Sequence, residues 1–364
     1  MNLQSSNSNT SLIISIFILV FFGLVMLSSA SSFVGYAKYR DSYYFLKHQV
    51  LHGLLPGLIL FFIFSKLNYK LLQKWSNLVL LFSIILLILV FVPGIGAVYN
   101  NARSWIQIGD FSIQPSELAK LALLIYLSSW VHKNKDKINS FVHGLIPFII
   151  ILAIIAGLIA MQPDVGTMFI IVIMAFGIYF ASGAKLSYIF SLCAVGILTL
   201  LALIKIAPYR LHRLTVFLNP KIDPQGIGYH INQALLAIGS GGLFGLGLGH
   251  SRQKFQYLPE VLGDSIFAVM GEELGFVITI VFVLLYIFFI FKILKSARTT
   301  KDDFAKIFLI GFAVWIGCQA FLNMGAMVGI APLTGVPLPF VSYGGTALMT
   351  VLAGCGIVVN INKK

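Results

Sequence analysis

The sequence predicts an all-α polytopic membrane protein of about ten transmembrane helices, and three observations carry that expectation. The 364 residues are 59% hydrophobic and only 10% charged, with a mean hydropathy of +0.94. Apolar runs recur from end to end, long enough for the roughly 20 residues that a helix needs to cross hydrocarbon. The alternating segments of about ten residues that mark a membrane β-barrel do not occur. Backbone polar groups must be satisfied inside lipid, so such runs fold as helices.

Ten stretches qualify: about 11–31, 45–65, 76–96, 115–131, 144–162, 165–182, 186–206, 266–292, 305–330 and 345–361. The first lacks a basic leader region and a persuasive cleavage site, so it reads as a retained span. Fourteen positive residues fall on one side: Lys66, Lys70 and Lys74, then Lys133, Lys135 and Lys137, then Lys185, the cluster Lys292–Lys306, and Lys363 and Lys364. The short loops opposite carry only Lys38, Arg40, Lys47 and Arg103. The positive-inside rule then puts both termini in the cytoplasm. Much of the +13 net charge is therefore a topological signal. The cytoplasmic loops are too short to form a nucleic-acid-binding domain. Cys193, Cys318 and Cys355 fall within spans without metal-ligand spacing and read as packing residues. The expectation is one domain over 1–364, with 207–265 as a long extracytoplasmic loop between the seventh and eighth spans.

Acids gather on the outer side. Of the twelve Asp and Glu, only Asp136, Asp302 and Asp303 fall in cytoplasmic loops. The long loop adds Arg210, Arg213, Lys221, Arg252 and Lys254, which point to an anionic partner near the outer leaflet or to lipid headgroups. Within it, Tyr229–Phe244 is apolar with Gln233 interspersed; too short to span, it reads as an interfacial or re-entrant helix. Gly239–Gly249 is glycine-rich but lacks the GK[ST] ending of a phosphate loop, so tight turns and close packing account for it.

Polar motifs border the outer ends of the spans. Asn101–Ile106 (NARSWI) places Arg103 and Trp105 after the third span, where Arg103 can grip a phosphate or the pair can anchor an aromatic belt. Gln114–Lys120 (QPSELAK) opens the fourth span; Glu117 and Lys120, three apart, can face one another. In Met161–Thr167 (MQPDVGT), Pro163 ends one helix and Asp164 can cap the next. Tyr257–Gly275 (YLPEVLGDSIFAVMGEELG) puts Glu260, Asp264, Glu272 and Glu273 at the mouth of the eighth span, where acids beside hydrocarbon are costly. Asp264 can be the N-cap of that helix, a position that favours the charged form a general base for a hydroxyl must have. At 100° per residue, Glu272 lies about 80° around from Asp264 and Glu273 about 180°. Glu272 is thus its expected companion, and Glu273 is expected to pair with another span. Leu333–Gly345 (LTGVPLPFVSYGG) cannot be a continuous helix and reads as a shaped outer loop, one that can face a partner.

These segments, in this order, resemble the SEDS family (shape, elongation, division and sporulation), the polytopic peptidoglycan polymerases of bacteria. The matching elements are NARSWI, FSIQPSELAK, QPDVGT, SRQKFQYLPE followed by DSIFAVMGEELG, and PLPFVSYGG. The SRQKFQYLPE form looks more like the division branch, FtsW, than the elongation branch, RodA. The resemblance implies a GT-C-like glycosyltransferase that polymerises lipid II, and an essential family aspartate maps onto Asp264. Family members often read PE-x-H-x-DFIFA; here Leu262 stands for the His and Ser265 for the Phe.

The implied reaction joins a sugar hydroxyl to an anomeric carbon with inversion and release of undecaprenyl pyrophosphate. It needs a base, for which Asp264 is the candidate, and positive charge for the departing pyrophosphate. Arg103, Lys120, Arg210 and Arg213 are the candidates for that charge. Glu117, Gln162, Asp164, Gln233, Glu272 and Ser342 complete the expected substrate-binding set. A divalent cation (Mg or Mn) could share the duty through Asp264 or Glu272, but no metal motif identifies one. Implied partners are lipid II and the growing glycan strand, a class B penicillin-binding protein transpeptidase, other divisome proteins and membrane lipids, in a bacterial cell membrane with the site on the extracytoplasmic face. A lipid II flippase, an elongation-type polymerase and a non-catalytic scaffold are the rival readings.

Overall fold

The computed structural model describes residues 3–99, 102–109, 111–206, 212, 215–219 and 222–363. The chain runs through α1 (Leu3–Tyr39), α2 (Tyr44–Lys66) and α3 (Tyr69–Leu89). Next come β1 (Gly96–Tyr99), β2 (Ala102–Ile108) and β3 (Phe111–Ile113). The helices then continue with α4 (Pro115–Lys133), α5 (Phe141–Met161), α6 (Val165–Ala181) and α7 (Leu186–Ile206). The last are α8 (Ile227–Ser240), α9 (Ile266–Thr299), α10 (Asp303–Met327) and α11 (Gly345–Asn362). A helix overlaps each expected stretch, although α3 ends at Leu89, short of the expected 96; among the described residues, seven helices are long and apolar enough to cross a membrane by length and composition.

Both α2 and α5 contain a π-helical turn, at Val50–Leu54 and Phe141–Leu145. In each case the proline at the second position after the turn, Pro56 or Pro147, lacks an N–H and crowds the preceding carbonyls, and a wider turn relieves that crowding. The segment between α3 and α4, expected as a loop, is a three-stranded antiparallel sheet in the order β1-β2-β3, with Ala97 opposite Trp105 and Gln107 opposite Ser112.

The core lies where α4, α10 and α11 meet. Along α10, Phe304, Phe308 and Phe312 stack at successive i,i+4 positions with ring centroids 6.3 and 6.2 Å apart, and Trp315 closes the row edge-on. On the outside, α2, α3 and α9 expose rows of large apolar side chains such as Ile59, Phe62, Leu81, Phe82, Val281 and Leu284, as lipid-facing helices do.

The eighth expected span differs from expectation. α9 is broken at Gly275, which sits at φ 76° and ψ 179°. Residues 266–273 are buried, whereas the lipid-facing side chains begin at Phe276. The break frees peptide groups, and the glycine-rich loop pairs with them. Leu246 and Gly247 donate N–H bonds to the carbonyls of Glu272 and Glu273, at 3.0 Å each. In turn Phe276 and Val277 donate to the carbonyls of Gly242 and Leu243, at 2.9 and 3.1 Å. A broken membrane helix persists only where its freed backbone groups find such partners. A Cβ on Gly275 would lie 2.2 Å from the Gly245 nitrogen, so this crossing admits only glycine.

Candidate active site

Asp264 lies in the tight turn Pro259–Ser265 that leads into α9 and is partly exposed. The helix begins at Ile266 with Ser265 in the cap position and no side-chain cap bond, so Asp264 sits one residue before the cap and not on it. Its turn is held through backbone carbonyls. From α10, Asn323 Nδ2 donates to the Asp264 carbonyl at 3.0 Å and to the Val336 carbonyl at 2.9 Å. From the segment before α11, Ser342 Oγ donates to the Gly263 carbonyl at 2.6 Å, and the Tyr343 N–H donates to the Leu262 carbonyl at 2.8 Å. Gly335, at φ +74°, passes alongside: a Cβ there would stand 3.7 Å from Asp264 Oδ2. The carboxylate is thus presented on a turn clamped from two elements, the preorganisation that proton transfer at a fixed point requires.

The segment Leu333–Gly345, expected as a shaped outer loop that can face a partner, is irregular as expected but packs into the bundle. Val336, Leu338, Phe340 and Val341 are buried, because a run this apolar is stable only inside the bundle. Gln319 Nε2 donates to the Pro337 carbonyl at 2.9 Å, and Gln49 Oε1 of α2 accepts the Gly344 N–H at 3.0 Å. The Tyr286 hydroxyl donates to the Pro339 carbonyl.

Glu117 and Lys120 face one another as expected: Nζ donates to Glu117 Oε1 at 2.7 Å, and the side chains are only 1% and 0% exposed. Lys120 also donates to Gln319 Oε1 at 2.9 Å and lies 5.2 Å from the Trp315 ring centre. Trp315 Nε1–H donates to the same Gln319 oxygen at 2.8 Å. Lys120 is therefore an internal cation, with its charge spent on Glu117, Gln319 and an aromatic face.

Glu272 and Glu273 are buried and turned to the loop that precedes Asp264. Glu272 accepts from Ser251 Oγ at 2.5 Å and from the N–H groups of Arg252 and Gln253 at 2.9 and 3.3 Å. Glu273 pairs with Lys254 at 2.8 Å and accepts from Ser29 Oγ of α1 at 2.7 Å, so it does reach another span. Both acids stand at the C-terminal end of the first half of α9, where the helix dipole disfavours negative charge, and this dense set of donors compensates. The structure therefore fastens Glu272 to the Ser251–Gln253 backbone.

Asp164 caps α6, accepting the Thr167 N–H at 3.0 Å, and its other oxygen receives Gln114 Nε2 and Ser116 Oγ, both at 3.4 Å. Gln162 is buried and donates to the Leu87 carbonyl at 3.1 Å. Gln233 is half-buried on α8, and Arg103 is exposed on β2. Arg210 and Arg213 lie outside the described residues. Among the described residues, no group of three or more His, Cys, Asp and Glu is placed to hold a metal ion.

A family model described as a cell cycle protein, FTSW_RODA_SPOVE, matches residues 9–364. The chain belongs to the FtsW/RodA/SpoVE family. It is 38% identical to the stage V sporulation protein E of Bacillus subtilis (strain 168), over 100% of this chain and 99% of that protein. It is 37% identical to the probable peptidoglycan glycosyltransferase FtsW of Geobacter sp. (strain M18), over 95% of this chain and 94% of that one. Among solved structures, a chain of a peptidoglycan synthase complex that coordinates polymerization and crosslinking superposes with a TM-score of 0.77 at 28% identity, covering 97% of both chains. The rod shape determining protein RodA of Thermus thermophilus superposes with a TM-score of 0.71 at 28% identity, covering 97% of this chain and 96% of that one. The chain is thus a multi-pass membrane protein with the helical fold of this family.

Within that family fold, the sequence reading missed the polar row of α10. Trp315, Gln319 and Asn323 recur at i,i+4 spacing on a helix otherwise apolar beyond its first turn, and they carry the contacts that hold the Asp264 turn, the Val336–Pro337 backbone and Lys120. Polar residues in register on a membrane helix are the signal that finds them.

Proposed function

We propose that this chain polymerises lipid II into glycan strands as a peptidoglycan glycosyltransferase, with Asp264 as the base. The carrying observation is how the acids around the turn differ. Glu272 and Glu273 are buried in the bundle, while Asp264 is partly exposed on a clamped turn, where a substrate hydroxyl can reach it. In the reaction, the Asp264 carboxylate takes the proton of the acceptor sugar hydroxyl as that oxygen bonds to the anomeric carbon of the second sugar. The bond from that carbon to the pyrophosphate oxygen breaks on the opposite face, inverting the centre and releasing undecaprenyl pyrophosphate. Arg103, exposed on β2, is the described cation proposed to meet the diphosphate, and Arg210 and Arg213 are proposed to join it.

The SRQKFQYLPE segment and the relatives named FtsW favour the division branch. The partner proposed is a class B penicillin-binding protein, by analogy with the synthase complex that this fold matches. The charge distribution supports a bacterial cell membrane location with both termini in the cytoplasm and Asp264 on the outer side.

The test is glycan synthesis from purified lipid II by the purified chain. Asp264→Ala is expected to insert and fold normally yet make no polymer, and normal polymer from that variant would refute the role. Lipid scrambling without polymer from the native chain would favour a flippase instead.

A further inference from the structure

We infer that His230 is a positioning residue for polymerisation, holding the Asp264 turn in its working geometry through Ser265. The inference rests on Asp264 being the base.

Ser265 Oγ lies 2.6 Å from the Pro259 carbonyl and 2.6 Å from His230 Nε2. A hydroxyl has one proton and the carbonyl can only accept, so that proton goes to Pro259. His230 must then present Nε2–H to the serine oxygen, which fixes its tautomer with the acceptor lone pair on Nδ1. The resulting chain, His230 to Ser265 to Pro259, joins the two ends of the turn that contains Asp264. Two backbone bonds close the same turn from inside, from the Gly263 and Ser265 N–H groups to the Glu260 carbonyl at 3.0 and 3.2 Å.

The Asn323 and Ser342 contacts hold residues 263 and 264 from α10 and the buried loop; the His230 contact arrives separately, from α8. Ser265 is fully buried and His230 half-buried, so water competes poorly for these bonds. The device belongs to this chain's own residues. A Phe at position 265 could neither accept from the imidazole nor bond Pro259. Burial holds the His230 ring below its ordinary pKa range, which keeps it neutral and the tautomer defined at neutral pH.

The test compares His230→Gln with His230→Met in the full chain reconstituted in lipid vesicles and supplied with lipid II. The two replacements are close in size, but only Gln carries an N–H. Met is expected to lower kcat by about 10–100-fold with KM changed less than about 2-fold, since a small misplacement of a reacting group has that effect. Gln is expected to recover most of the loss. Ser265→Ala should match the Met variant, and the double variant His230→Met/Ser265→Ala should be no worse than either alone. Wild-type kcat in His230→Met, equal losses for Met and Gln, or losses that multiply in the double variant would each overturn the inference. Polymer made by Asp264→Ala would instead overturn the base assignment, whatever the His230 variants do.

Discussion

Replacing Glu273 by Ala tests the anchor that ties α1 and the long loop to the broken helix. In the native chain Lys254 and Glu273 are 2% and 0% exposed, and the carboxylate also receives Ser29 Oγ and the Ser251 N–H. Removing it leaves the Lys254 ammonium buried, with the Gly249 carbonyl at 2.8 Å and Ser29 Oγ at 3.1 Å as its remaining hydrogen-bond partners among the described residues, beside the Phe255 ring. An uncompensated buried charge of this kind costs about 3–5 kcal/mol. That is a large share of the roughly 5–15 kcal/mol by which folded proteins are stable. At about 2 °C per kcal/mol, the melting temperature in detergent should fall by roughly 6–10 °C. Removing both charges together, as Glu273→Leu/Lys254→Met, should restore at least half of the loss, because no ion is then left unpaired. A Glu273→Ala chain melting within about 1 °C of the native one would refute the argument. So would a double variant less stable than the single one.

Lys120→Met should destabilise by a similar ~3–5 kcal/mol, because it strands the Glu117 carboxylate in the core; Glu117→Gln added to it should recover part of the melting temperature, and a larger change in the KM for lipid II than in stability would point instead to phosphate binding. Gly275→Ala drives a methyl to 2.2 Å from the Gly245 nitrogen at a left-handed φ, so detergent-extracted protein should lose its monodisperse peak on size exclusion, and an unchanged peak would contradict the tight crossing. His230 has a folded pKa below its unfolded one, so its contribution is present at high pH and declines as pH falls through the unfolded imidazole value toward the folded one; His230→Gln should flatten part of the drop in melting temperature between about pH 7 and pH 5, and an identical drop would rule His230 out as its source.

Span positions were legible because hydrocarbon imposes a length and a hydropathy that any sequence must show. The Glu117–Lys120 pair and the Asp164 cap followed from spacing alone, since each is closed within three residues along the chain. Contacts between distant segments were not legible. Angular arithmetic placed Glu272 beside Asp264 by treating 264–273 as one regular helix; instead the helix starts after Asp264, and the Ser251–Gln253 backbone takes the Glu272 carboxylate. The prolines and glycines of segment 333–345 predict a shaped, irregular loop, and the structure has one. Those residues forbid a helix but do not say on which side of the surface an irregular segment lies, and its apolar side chains turned it inward. His230 and Ser265 lie 35 residues apart, and nothing local in either segment announces their pairing.

The interruption at Gly275 also bears on how the protein is made. A nascent chain presents Phe276–Thr299 as a self-sufficient hydrophobic segment, and its 24 residues, about 36 Å of helix, can partition into the bilayer unaided. The stretch before it cannot, since its exposed peptide carbonyls find donors only when Leu246 and Gly247 arrive. The glycine ribbon leaves the ribosome earlier than the downstream rod, so the break closes by pairing the rod's first residues with a segment already made. The turn that carries Asp264 lies between the ribbon and the break, so its geometry depends on that pairing.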